Sequence, residues 1–251
     1  MIEVFIIMVE KDLINAWRKA EKTAKTQEKF ADILEEILKN QTTREEIVKL
    51  MKMATYKKCD IGESFQSYFL SYALAAFRQS EYSYDNPNVS NLIPAAFLAH
   101  HCVELFIKFV KLDWFTFFGA KIKPLNTFLP ANIYDLALDK HNVIGFFDDK
   151  DCIQWFSYIE DGERYREGIK RKYNLICKLL GENNIAVNMR YPMSKGYQVN
   201  DYSYLTEENV QVISSKIMDL IALCFLSNYE WAKNEDKQEK LRNDSLMNEN
   251  S

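Results

Sequence analysis

Glycine and proline are scarce in this chain, and their scarcity limits the folds that it can adopt. Seven glycines and five prolines occur among 251 residues. Sandwiches, barrels and propellers need many tight turns, and tight turns depend on these two residues. Hydrophobic residues make up 47% of the chain, which is enough for a sizeable core and argues against global disorder. We therefore predict an all-α protein.

Apolar residues recur at helical spacing in several segments, and they predict the order of the helices. We expect an amphipathic helix or helix pair over 11–40, and then helices over about 43–54, 61–80, 92–118, 152–180 and from Thr206 onwards. The helix over 152–180 should end at Gly181, a residue that commonly stops helices. The intervening segments 119–150 and 182–205 should form connections.

This order of helices suggests three parts. We divide the chain into an N-terminal helical extension (1–55), a helical bundle (56–235) and a polar, disordered tail (236–251). The tail is assigned from its composition, because the sequence KQEKLRNDSLMNENS contains few apolar residues.

Cysteine usage and charge predict a cytoplasmic protein that does not coat nucleic acid. The five cysteines are dispersed without a CxxC pair, which is typical of reduced thiols. The apolar start of the chain, residues 1–10, is too short to span a bilayer and contains Glu3 and Glu10, so we expect no membrane association. The formal net charge is −4. Any contact with nucleic acid must therefore be local.

The segment from Leu92 to Leu112 carries its polar side chains on one side only. At about 100° per residue, all of them fall within about 100° of arc, and the rest of the helix is apolar all round. Such a helix is expected in the middle of a domain, where charges must be paired or must line a cavity. The polar residues are His100, His101, Glu104, Lys108 and Lys111.

Two interpretations of this arrangement remain open. Glu104 and Lys108 have the i,i+4 spacing of an ordinary ion pair, and the histidines could be hydrogen-bonded packing residues. Alternatively, the polar side faces a ligand or a partner chain. We predict no metal site, because His100 and Glu104 have only His141 as a further imidazole donor, with no HExxH motif or cysteine cluster. We also predict no cofactor, since Walker, Rossmann and GxSxG motifs are absent.

The run ERYREGIKRKY is the strongest basic patch of the sequence. Such a run is usually the solvated face of a helix. The other interpretation is a surface that follows phosphates, with Tyr165 and Tyr173 available to stack on bases. The patch consists of Arg164, Arg166, Lys170, Arg171 and Lys172.

Three segments, in matching order and spacing, resemble the HEPN superfamily of helical domains. AAFLAHHCVELFIKFVKL is similar to the family helix in which His or Asn precedes a Glu and then a Lys. DKHNVIGFF is similar to its short His-(Asp/Asn)-Leu turn, with Val143 in place of Leu, and NMRYP to its Arg-Tyr-Pro stretch. The resemblance covers about residues 60–230. It implies an antiparallel helical bundle of HEPN type, paired as a homodimer.

The chain departs from the family's ribonucleases, in which an Arg precedes a His by four to six residues. The nearest arginine upstream of any histidine is Arg78, more than twenty residues away. The resemblance therefore implies a noncatalytic module that binds a nucleotide, an RNA or a protein partner in a bacterial defence or toxin–antitoxin system. The ligand-binding candidates that it implies are His101, Glu104, Lys108, His141, Arg190 and Tyr191.

Two alternatives to the binding module remain open. One is a HEPN-type ribonuclease with a non-standard site built from His101, Glu104 and Arg190. The other is a pure protein-interaction scaffold, in which the charged N-terminal segment 11–54 carries the partner contact. A direct nuclease assay separates the first alternative from the other two hypotheses.

Overall fold

The computed structural model describes residues 40–59, 65–122, 143–181 and 202–249, and all regular secondary structure within these ranges is helical. The helices pack against one another, which confirms the prediction of an all-α protein. In chain order they are α1 (Gln41–Cys59), α2 (Phe65–Asp85), α3 (Val89–Ile122), α4 (Val143–Phe147), α5 (Lys150–Ser157), α6 (Gly162–Leu179) and α7 (Glu207–Glu249).

Helices α2 and α3 form an antiparallel hairpin, and α7 packs against both. α7 runs antiparallel to α2. The side chain of Gln66 at the start of α2 donates to Asn228 at 2.8 Å, and Ser214 donates to Ser83 near the end of α2 at 2.9 Å. These bonds satisfy polar side chains at the helix contact, where an unbonded polar group would be costly.

Aromatic rings fill the space between α3, α5 and α7. The Trp155 ring stacks on Trp231 at a centroid distance of 4.7 Å and meets Phe106 edge-on at 6.0 Å. Burying an apolar side chain of this size contributes about 3 kcal/mol or more to folding. The short helix α5 is therefore held against α3 and α7 by this cluster.

Helix α1 crosses the division that we placed between residues 55 and 56. Its Ile47 and Met51 lie in the same buried core as residues of α2 and α7. Arg44 lies 3.6 Å from Asp85 and 5.3 Å from the centre of the Tyr84 ring, so α1 also contacts the end of α2. The rest of the predicted extension, residues 1–39, lies outside the described residues.

The single helix predicted over 152–180 is wrong, because the chain turns at 158–161 and forms α5 and α6. Asp161 adopts a left-handed backbone conformation, with φ of 56°. The backbone at Gly162 then passes so close to Phe156 that a Cβ atom on Gly162 would lie 1.8 Å from the Phe156 carbonyl oxygen. The turn therefore depends on a glycine at this position.

The ends of the last two long helices agree with the sequence in part. α6 ends just before Gly181, whose φ of +67° confirms the predicted stop. Thr206 caps α7, because its Oγ1 accepts a hydrogen bond from the Asn209 amide at 3.2 Å. α7 continues to Glu249, where we expected a disordered tail from residue 236. The tail is polar but rich in Lys, Gln, Glu, Leu and Arg, which favour helix.

Within the part of the chain that the structure describes, two helices are long and apolar enough to cross a membrane. They are Val89–Lys111 and Glu207–Ala232, within α3 and α7. Most of the apolar stretch of each helix is buried inside the structure, 72% in α3 and 83% in α7. Since buried core helices have the same length and composition, this finding is weak evidence for a membrane protein.

Candidate functional site

The five polar residues between Leu92 and Leu112 lie on α3, which contacts α2, α4, α5 and α7. We call them the α3 stripe: His100, His101, Glu104, Lys108 and Lys111. The members of the stripe differ in exposure. His100 is fully buried, Glu104 is 2% exposed, and both lysines are buried. The side chain of His101 is 27% exposed. Among the stripe residues, His101 is therefore the one that solvent reaches best.

Glu104 is the centre of a three-residue contact along α3. The Nζ atom of Lys108 donates to Oε1 of Glu104 at 2.6 Å, and Nδ1 of His101 lies 3.4 Å from Oε2. The hydrogen bond with His101, followed by the hydrogen bond and charge of Lys108, outweighs burial and holds the pKa of Glu104 well below its usual value. The carboxylate is therefore charged and engaged at neutral pH.

His100 joins α3 to α6. Its Nδ1 lies 2.6 Å from the hydroxyl of Tyr173, and both side chains are buried. Burial raises the pKa of Tyr173 well above its usual value, so the phenol stays protonated. This contact fits the packing interpretation of His100 rather than a ligand-binding one.

Lys111 joins α3 to the start of α5. Its Nζ donates to Oδ2 of Asp149 at 2.6 Å and lies 4.7 Å from the centre of the Phe146 ring. Asp149 also caps α5, because its Oδ1 accepts from the amide of Asp151 at 3.1 Å. One carboxylate therefore serves both the helix cap and the ion pair.

The two interpretations of the α3 stripe are thus divided among its members. His100, Glu104, Lys108 and Lys111 are buried and each has a protein partner, as in a stabilising network. His101 is partly open, with Tyr72 edge-on at a centroid distance of 4.6 Å. Its ring also lies parallel to that of Phe97 at 6.4 Å.

Half of the ligand-binding candidates can be placed. Three of them lie together on α3, where His101 and Lys108 each contact Glu104. The others, His141, Arg190 and Tyr191, lie outside the described residues. A shared site of all six residues therefore stays a prediction.

The predicted basic patch separates into buried and solvent-facing cations. Arg166 is buried, donates to the carbonyl of Phe147 at 2.6 Å and pairs with Glu167 at 2.8 Å. Lys172 is buried and donates to the fully buried Asp219 at 2.6 Å. These two cations hold α6 to its neighbours and do not form an exposed surface.

The alternative interpretation of the patch, in which Tyr165 and Tyr173 stack on bases, does not fit the structure, because both side chains are buried. Arg171 is exposed and Arg164 is half-buried, while Lys170 pairs with Asp148 at 2.5 Å. Of the five cations in the predicted patch, Arg164, Lys170 and Arg171 are therefore the ones that solvent reaches, while Arg166 and Lys172 are buried.

Two exposed residues at the C-terminal end of α6 were not among the candidates predicted from the sequence. Lys178 is exposed and follows Arg171 by seven residues, a spacing that could have placed it on the same side of α6. Tyr204 is 50% exposed, and its hydroxyl donates to the carbonyl of Leu180 at 2.5 Å. No sequence pattern places Tyr204 there, since the contact joins two segments of the chain that the helix pattern treats separately.

Comparison with known proteins assigns the chain to no family. No protein-family model matches it, and neither the curated proteins nor the solved structures contain a match. Within the described residues, no group of three or more His, Cys, Asp and Glu side chains could hold a metal ion. The site is therefore interpreted from its own geometry.

The low pKa of Glu104 gives an expected dependence of stability on pH. A carboxyl group whose pKa is lower in the folded chain stabilises the fold above its unfolded value of 4.5, and loses that contribution as the pH falls below it. We expect the free energy of unfolding to fall by up to about 1.4 kcal/mol per pH unit for this one proton. Urea unfolding followed by tryptophan fluorescence between pH 6 and pH 3 measures it.

The control for this titration is Glu104→Gln, which keeps the shape of the side chain but cannot ionise. Other carboxylates contribute equally to both proteins, so the difference between the two curves isolates Glu104. We expect the variant to have the smaller slope below the unfolded pKa. Equal slopes would show that Glu104 is not held in its charged form.

Proposed function

We propose that this chain is a noncatalytic binding module of HEPN type, paired as a homodimer in the cytoplasm, that binds a nucleotide, an RNA or a protein partner in a bacterial defence or toxin–antitoxin system. The observation that carries the noncatalytic assignment is the engagement of Glu104. It is 2% exposed and contacts both Lys108 and His101.

Ribonuclease chemistry needs a general base that reaches the attacking hydroxyl and has a pKa near the working pH. Glu104 meets neither condition, because it is buried and its pKa is far below neutral. His100 is fully buried against Tyr173. The arrangement therefore favours structural roles for both residues.

A second candidate function is a ribonuclease with a non-standard site. His101 is the observation that favours it, because its ring is 27% exposed and lies beside a carboxylate that could orient it. The second candidate also needs Arg190, which lies outside the described residues.

The thiols support the cytoplasmic part of the proposal. Among the described residues, four cysteines are buried and are not joined in disulfide bonds, namely Cys102, Cys152, Cys177 and Cys224. Burial raises the pKa of Cys152 to about 12, so this thiol stays protonated and unreactive. Free thiols of this kind are typical of proteins from a reducing compartment.

A nuclease assay tests the proposed function. Purified wild-type protein, incubated with single-stranded and with structured RNA, should release no more product than buffer alone. Light scattering after gel filtration should give the mass of a dimer. If the wild type cleaves RNA and His101→Ala abolishes cleavage, the noncatalytic proposal is wrong and the second candidate replaces it. A monomer at micromolar concentration would contradict the homodimer.

A further inference from the structure

Three cations lie on one line along the solvent side of α6. Arg164, Arg171 and Lys178 are each seven residues apart, which is close to two helical turns. Neighbouring members are therefore about 10.5 Å apart along the helix, and the line is about 21 Å long. The buried side of α6, which includes Ile169 and Ile176, faces the core on the opposite side. We call these three cations the α6 line.

The cations of the α6 line differ from Arg166 and Lys172, which are both engaged in ion pairs. The two carboxylates within α6, Glu163 and Glu167, both pair with the buried Arg166, and the exposed Glu160 and Asp161 precede the helix at its Arg164 end. Within the described part of the chain, none of the three cations forms an ion pair. The chain as a whole has a net charge of −4, so this positive surface is local. It is suited to an anionic partner.

An exposed aromatic ring lies at the C-terminal end of the α6 line. Tyr204 is anchored by its hydroxyl, which donates to the Leu180 carbonyl just after α6 ends. The same hydroxyl would lie 3.2 Å from a Cβ atom on Gly181, so the tyrosine approaches the backbone closely where there is no side chain. The ring is thus held just beyond the last turn of α6, the turn that carries Lys178, while half of its surface stays open. An exposed, anchored ring of this kind can stack on an unpaired base.

We propose that the α6 line and Tyr204 together bind single-stranded RNA, with phosphates on the three cations and a base on the tyrosine ring. The inference rests on the proposed binding function and names its ligand class. Cations along one line with an aromatic platform at its end are the combination used for single-stranded nucleic acid. A paired duplex would not offer a free base to Tyr204.

A protein partner fits this surface less well. The centre of a protein interface is apolar and depleted in charge. Within α6, Leu175 is the one large hydrophobic residue that is exposed, at 37%. The α6 line instead presents separated charges, with Leu175 as the one exposed large apolar residue among them. An acidic protein segment is therefore treated as a competing outcome of the test.

Fluorescence anisotropy with a labelled single-stranded RNA of mixed sequence tests the inference. We expect wild-type protein to bind, and log K to fall with log salt concentration at a slope of about −2, as three phosphate contacts require. The triple variant Arg164→Gln, Arg171→Gln, Lys178→Gln should bind at least about tenfold more weakly and should lose most of the slope. A duplex of the same sequence should bind more weakly than the single strand.

Tyr204 variants separate stacking from charge. Tyr204→Ala should weaken binding by about fivefold or more without changing the salt slope, because stacking on one base contributes about 1–3 kcal/mol. Tyr204→Phe keeps the ring but loses the anchoring hydroxyl, so its affinity should lie between those of the wild type and Tyr204→Ala. Circular dichroism should show unchanged helix content in both variants, which excludes unfolding as the cause.

The matched control for the triple variant removes the same charge from elsewhere. Lys49→Gln, Arg78→Gln and Lys150→Gln change three exposed cations on α1, α2 and α5. We expect this control to bind RNA as the wild type does. If it loses as much affinity as the α6 variant, the surface is not specific and the inference is wrong.

Two further results would overturn the inference. One is no binding of single-stranded RNA by the wild type at about 50 mM salt, where electrostatic contacts are strongest. The other is tighter binding of a poly-glutamate peptide than of RNA, which would indicate an acidic protein partner. Either result leaves the nuclease assay unaffected, so failure of this inference is distinct from failure of the proposed function.

Discussion

Replacing Glu104 with alanine is expected to lower the free energy of unfolding by about 3–5 kcal/mol. The replacement leaves the buried ammonium group of Lys108 without the carboxylate that it contacts at 2.6 Å. It also removes the partner of His101 and creates a small cavity beside α3. Urea unfolding at pH 7, followed by tryptophan fluorescence, measures the loss.

The matched control removes both charges together. In the double variant Glu104→Gln, Lys108→Met, no buried charge is left unpaired, so most of the lost stability should return. This control separates the cost of an unpaired charge from the cost of altered packing. A loss below about 1 kcal/mol in the single variant would mean that water reaches Lys108, and the burial of this ion pair would be contradicted.

Gly162→Ala is expected to destabilise the protein by about 3 kcal/mol. The new Cβ atom would lie 1.8 Å from the carbonyl oxygen of Phe156, which is a backbone atom and cannot rotate away. It would also lie 3.2 Å from Cβ of Ile159. The turn between α5 and α6 must therefore shift, and Trp155 and Phe156 must shift with it.

Gly168→Ala is the control for this substitution. Its new Cβ would lie 3.3 Å from Cδ1 of Leu223, which is the end of a flexible side chain. A helical alanine also gains up to about 1 kcal/mol over glycine. We expect little change in stability, with the melting temperature close to that of the wild type. Equal losses in the two variants would contradict the steric argument at Gly162.

The parts of the fold that depend on local spacing could be predicted from the sequence. The scarcity of glycine and proline predicted an all-helical chain, and the apolar surroundings of the α3 stripe predicted that α3 lies in the core. The ion pair of Glu104 and Lys108 follows from their i,i+4 spacing on one helix.

Contacts between helices could not be predicted, because they join residues far apart in the chain. His100 and Tyr173 are 73 residues apart, and Lys111 and Asp149 are 38 residues apart. Helical periodicity gives the side of a helix that is apolar but does not name its neighbour. For the same reason the sequence could not show that Tyr173 is buried against His100 rather than exposed.

The turn between α5 and α6 needed information that periodicity does not carry. Residues on both sides of it keep helical spacing, so the pattern reads as one helix over 152–180. The interruption arises from the left-handed conformation of Asp161 and from the close backbone approach at Gly162. The Asp-Gly dipeptide, a common turn former, was the local signal that could have indicated it.

The buried pair of Lys172 and Asp219 restricts how this chain can diverge during evolution. The two charges lie on α6 and α7, 2.6 Å apart, and Asp219 has no exposed surface. A neutral replacement at one position leaves an uncompensated charge in the interior, and the intermediate sequence is poorly stable. Descendants of this protein should therefore keep both residues or exchange both for apolar ones, so that the two positions are inherited as a unit.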